Sequence, residues 1–201
     1  MFVSVLGWAA AAIGAAFMLP QVVRLLRSRS TAGVSTAAWQ IMLGANLGWT
    51  GHGLLSGHAN IWLPNTLLLV CTLVILTTIH RQAGTPWVQL LAPGLALATT
   101  MLVLNLTLGP VAFAVAAFIP SGCAQVLQLK ELVHSVNLSG VSVGYLGLSV
   151  VNQVLWLSWS LLAGEISVTL CAMSLGTLMT INLVWALLRR YRVVTATLAS
   201  F

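Results

Sequence analysis

Two tryptophans occupy matching places in the chain: Trp49 and Trp156 lie 107 residues apart, each roughly two-thirds of the way along a long apolar run. An indole offers a flat apolar face and a single N–H donor. The C–H face of a sugar-like ring can stack on such a surface while its hydroxyls bond elsewhere. Tryptophan also collects at membrane interfaces, so residue type alone leaves both uses open. Asn65, in the next apolar run, carries two N–H donors and an acceptor oxygen and can meet a diol in either direction. The competing use of such an amide is a bond between helices, worth about 1 kcal/mol in a membrane. His52 follows Trp49 by three residues. It either changes charge near neutral pH or acts as a neutral hydrogen-bonding group. Pro20 interrupts the first apolar run, where it removes one backbone hydrogen bond and lets a helix bend. Gln21 beside it can bond a freed carbonyl, and Gln128 can do the same in the second half of the chain. No nucleophile–base pair is visible, so no catalytic residue is expected. Cys71, Cys123 and Cys171 sit inside apolar runs as buried structural thiols without metal-ligand spacing, and no metal or cofactor is implied.

The elements that carry these residues follow from composition. The 201 residues are 59% apolar and 5% charged, against about 25% charged in a soluble domain. Lipid is the solvent that such a surface fits. A chain in lipid must satisfy its own backbone, as helices or as a closed barrel. The apolar runs are about 20 residues long without alternation, the length of a helix crossing a hydrocarbon core. We therefore expect an all-α, multi-pass plasma-membrane protein. Its seven transmembrane helices should lie near residues 2–26, 35–55, 60–79, 87–106, 110–133, 142–162 and 166–188. The first lacks a basic segment before it and reads as a retained helix rather than a cleaved signal. With the N-terminus outside and the C-terminus cytoplasmic, every cation falls inside: Arg24, Arg27, Arg29, Arg81, Lys130, Arg189, Arg190 and Arg192. That placement explains the net charge of +6 without nucleic acid. The last helix holds no lysine, which excludes a retinal Schiff base there.

The chain also repeats. Gly33-Val34-Ser35 returns 107 positions later as Gly140-Val141-Ser142. At the same shift Gln21 meets Gln128, Trp49 meets Trp156 and Gly57 meets Gly164. Residues 1–81 and 108–192 then read as two copies of a three-helix unit. Residues 82–107 supply a linker and a fourth helix that restores the orientation of the second copy, and 193–201 form a tail. Two parallel three-helix bundles joined by one helix, three plus one plus three, are a transporter plan with its site near the midplane between the repeats.

Pro20-Gln21, thirteen residues before Gly33 in an Arg-rich turn, resembles the PQ-loop motif. With the repeat and the helix count, the chain resembles the SWEET (MtN3/saliva) transporters, its first half most closely the half-sized bacterial semiSWEETs. The resemblance implies a carrier that works by alternating access. Trp49, Trp156 and Asn65 would bind the solute, with His52 where the family pattern Trp-x-x-Tyr-Gly has tyrosine. Pro20 and Gln21 would serve an inner gate, with Gln128 in the second copy. This chain departs from the pattern where Ala172 meets Asn65 and Leu127 meets Pro20.

The chain has no aspartate, and its two acids, Glu131 and Glu165, lie at helix ends. Proton-driven carriers place a carboxylate in the membrane, so facilitated diffusion of a small neutral polar solute, foremost a sugar, is the expectation. The alternatives are a carrier of the same fold for an amino acid or vitamin, proton-linked through His52, and a non-transporting receptor or accessory protein. The partners implied are the solute and the lipid bilayer, with self-association into a homo-oligomer left open. Reporter fusions test the orientation: a reporter active only outside the cytoplasm should work after residue 57 and fail after residue 192. The opposite pattern would invert the topology.

Overall fold

The computed structural model describes residues 1–28, 35–136, 138 and 141–191, with side chains throughout except at 18–22, 24–26 and 28. Arg29, Gly33, Val34, Gly140, Arg192 and the tail fall outside the described residues, as do the side chains of Pro20 and Gln21. Seven helices are formed among the described residues: α1 (Phe2–Ser28), α2 (Thr36–Ser56), α3 (Ala59–Ala83), α4 (Trp87–Leu108), α5 (Pro110–His134), α6 (Val143–Ala163) and α7 (Ile166–Arg190). Five of them, α3 to α7, are long and apolar enough to cross a membrane. At 1.5 Å per residue, the 25 residues of α3 reach about 37 Å, more than the hydrocarbon core of about 30 Å. Large apolar side chains such as Leu67, Val70, Val103, Leu106, Val154 and Val184 stay exposed along these helices. Lipid would cover them where water would not.

The helix ends have local causes. Ser35 precedes α2 in extended backbone, and its hydroxyl accepts from the Ala38 N–H at 3.3 Å. Ser142 does the same for α6 through the Tyr145 N–H at 3.2 Å. Each fills a donor left open in a first turn. At the other end, Gly57 (φ 75°) and Gly164 (φ 72°) take the left-handed conformation that a side chain would strain. The next residue closes the turn each time, His58 N–H to the Gly53 carbonyl and Glu165 N–H to the Ser160 carbonyl, both at 2.9 Å. The ends of α2 and α6, and those of α3 and α7, correspond at the 107-residue shift. α3 runs beyond the expected end near Ile79, through His80 and Arg81, and stops at Gly84 (φ 68°).

The chain divides into two compact units. Gly7–Ala117 forms one, and Phe118–Phe201 with Met1–Leu6 forms the other. In the first, α2 packs against both α3 and α4. Trp39, Leu43, Ile75, Leu76, Ile79 and Leu90 bury one another where the three meet. Asn46 donates to Thr72 Oγ1 at 3.1 Å, a buried bond between α2 and α3 that matches the helix-gluing use of such an amide. Against α4 the contact is backbone on backbone. A Cβ on Gly94 would lie 2.6 Å from the Gln40 carbonyl oxygen, and one on Gly44 would lie 2.7 Å from the Gly94 oxygen. Gly48 and Gly51 continue this face of α2 toward Met101 and Leu102. The Gln40 amide ties the pair by donating to the Gln89 carbonyl at 2.6 Å.

In the second unit α6 packs on α7. Asn182, wholly buried, donates to the backbone carbonyl of Gln125 at 3.0 Å and to its side-chain oxygen at 2.8 Å, joining α7 to α5. One expectation changes. Cys123 is exposed on α5 rather than buried, whereas Cys171 is buried and Cys71 half-buried. His80 ties the end of α3 to the start of α4: its Nδ1 bonds the Thr85 carbonyl at 2.8 Å and its ring stacks on Trp87.

Gly94→Val forces apart two backbones in contact, an overpacking of about 1–3 kcal/mol. Thermal unfolding in detergent should show that loss, while Gly147→Ala, where nothing lies within 4 Å of an added Cβ, should show almost none. Equal stability of the two variants would contradict the close α2–α4 approach.

Candidate functional site

α2 brings Trp49 and His52 to one side of the helix because residues three apart are neighbours on its surface. Both meet Phe113, from the first turn of α5, within the first unit. The Phe113 ring stacks on His52 with centroids 4.3 Å apart and planes 15° apart. Trp49 stands edge-on to both, 4.9 Å from Phe113 and 5.7 Å from His52. His52 is 3% exposed and Phe113 fully buried, whereas Trp49 is half-buried. The stacked His52–Phe113 pair therefore braces one side of the tryptophan, which is itself only partly buried.

Gly53 lets α3 start close beside this cluster. A Cβ there would sit 2.7 Å from the Trp62 backbone nitrogen and 3.0 Å from the Ile61 Cβ. Trp49 lies one turn before that crossing and Asn65 one turn after Ile61, so the antiparallel pair carries them at similar depth. Asn65 is half-buried, and its Nδ2 donates to the Ile61 carbonyl of its own helix at 2.8 Å. This bond orients the amide and leaves its oxygen and second N–H for another partner. Pro64, inside α3, lacks the N–H that would bond the Asn60 carbonyl.

Trp156 belongs to the other unit, where it meets the buried Trp159 edge-on at 5.6 Å. Ala172, the counterpart of Asn65, lines a groove of about 440 Å³ between α6 and α7 together with Gln153, Gly176, Thr177 and Thr180. Trp156 is not part of its described wall. Gln128 is half-buried on α5. The helix of α1 continues through Pro20 and Gln21, whose side chains lie outside the description.

Two residues of this arrangement were not singled out from sequence. Phe113 carried no signal, since its counterpart at the repeat shift is Leu6. Gln153 did carry one, being the counterpart of the helix-bonding Asn46. Among the described residues no cluster of His, Cys, Asp or Glu could hold a metal ion. No protein-family model matches the chain, and no curated protein matches it.

Replacing His52 with alanine removes a buried ring stack, a loss of about 0.5–1.5 kcal/mol beyond the packing area. His52→Phe keeps the stack. Unfolding in detergent should therefore place the alanine variant below the phenylalanine variant. Equal destabilisation of both would mean that stacking on Phe113 does not hold His52.

Proposed function

We propose that the chain is a SWEET-like membrane carrier that moves a small neutral polar solute, foremost a sugar, down its gradient by alternating access. The observation that carries this reading is the Trp49–His52–Phe113 cluster, a supported aromatic surface one helical turn from the close crossing of α2 and α3. Asn65 supplies an oriented amide one turn along the partner helix. In the proposal the solute's C–H face stacks on Trp49 and its hydroxyls bond Asn65, with Trp156 serving the second repeat. The matching ends of α2 with α6 and of α3 with α7 support a duplicated plan, three plus one plus three, with Pro20, Gln21 and Gln128 at its gates.

A second reading has the same carrier coupling an amino acid or vitamin to protons through His52. The burial of His52 beside Trp49 favours it, since an ionisable group inside a membrane protein marks a pathway by default.

Uptake into liposomes separates the two. Sugars, amino acids and vitamins are offered to purified protein at two pH values. Passive sugar flow should be nearly independent of pH and should fall about tenfold or more in Asn65→Ala, the scale of one hydrogen bond of about 1–3 kcal/mol lost to a desolvated partner. The folded state of that variant is checked by its melting curve. Full activity of Asn65→Ala would remove Asn65 from the site. Steep pH dependence erased by His52→Gln would establish the second reading.

A further inference from the structure

The end of the second unit holds a cavity that the carrier reading does not use. It measures about 390 Å³ and lies where the α5–α6 connection (Val136, Leu138, Val141) and Val143 face the last turns of α7. Among the described residues its walls are valine, leucine and alanine, with Arg189 and Arg190 beside them. An apolar recess beside two guanidinium groups, at the end of three apolar helices, has the chemistry of an amphiphile site. In such a site hydrocarbon fills the recess and an anion sits on the cations.

The two arginines differ in how they are held. Arg189 is half-buried and caps α5: Nη1 donates to the Leu132 and Val133 carbonyls at 2.8 and 3.2 Å, and Nη2 donates to the Ser135 carbonyl at 2.6 Å. Those carbonyls are among the acceptors that a helix end leaves open. A guanidinium has more donors than these bonds use, so Arg189 is fixed in place with N–H groups still to give. Arg190 is exposed at the same cavity, and no described residue bonds it. The nearest acid along α5, Glu131, accepts from the Ser135 hydroxyl at 2.6 Å and makes no described ion pair with either arginine. The positive charge at the cavity is therefore not neutralised by the described residues.

We infer that this cavity binds a phosphate group, with Arg189 as the fixed donor and Arg190 as the exposed one. Basic pockets between transmembrane helices at the membrane boundary hold anionic headgroups in the same way. The phosphate belongs to an anionic phospholipid, whose first carbons the valine and leucine walls suit, or to a free phosphate ion. The inference is independent of which solute the chain carries.

The test uses the full chain in detergent, delipidated and then offered phosphatidylglycerol, phosphatidylcholine of the same acyl chains, or inorganic phosphate. Bound lipid is counted by native mass spectrometry and the melting temperature is followed in parallel. Phosphatidylglycerol should be retained over phosphatidylcholine. Arg190→Gln should cut that preference by about fivefold, the scale of one basic side chain at an anionic surface. Val136→Trp, which fills the cavity from its exposed wall, should also reduce it, and Lys130→Gln, on exposed α5 surface, should not. Stabilisation by inorganic phosphate without lipid preference, again lost in Arg190→Gln, keeps the site and names the free ion as its ligand. No response to either phosphate source, or equal losses in Arg190→Gln and Lys130→Gln, overturns the inference.

Discussion

The structure of the first unit depends on how closely α2 can be approached. Helices in lipid gain little from burying apolar surface, because the lipid tails are as apolar as leucine. Contact must come instead from tight packing and from polar bonds. α2 supplies both. Glycines at 44, 48 and 51 form a face on which α4 lies, with backbone against backbone at Gly44 and Gly94. Asn46 and Gln40 add the bonds to α3 and α4. Trp49 and His52 ride on this clamped helix, so the candidate binding surface inherits its position from the glycine contact.

The second unit repeats the frame without this device. α6 begins and ends where α2 does at the 107-residue shift, with the same serine cap and left-handed glycine. Yet the glycine face is replaced by Val151, Leu155 and Ser158, and Val151 is half exposed. The Asn46–Thr72 bond has no counterpart, because those positions are Gln153 and Met179. Its polar tie lies elsewhere, between Asn182 on α7 and Gln125 on α5. Capping and turn chemistry are shared by α2 and α6, while the helix contacts of the two units differ.

This division explains what could be read in advance. Helix number and ends were legible, since apolar length, Ser-x-x caps and turn glycines act locally. Boundaries read from the chain fall within a few residues of those observed, and α3 overran because His80 and Arg81 are no barrier to a helix that Gly84 stops. Which way a side chain points was harder to read. Helices that are apolar all round carry no moment that separates core from lipid, so the letters around Cys123 do not show that it is exposed. Phe113 was hidden for the same reason. The glycine spacing of α2 is a packing signal present in the letters, and it marks the face that α4 occupies.

The glycine contact also bears on how the chain can be assembled. Gly44 and Gly94 meet across an intervening helix, so α2 leaves the ribosome well before the surface that covers it. Until α4 follows, a groove of bare backbone stands open on a helix already paired with α3. The first three helices therefore do not make a finished piece. Cut from the rest, they would need either a second chain to fill that groove or larger residues in place of the glycines.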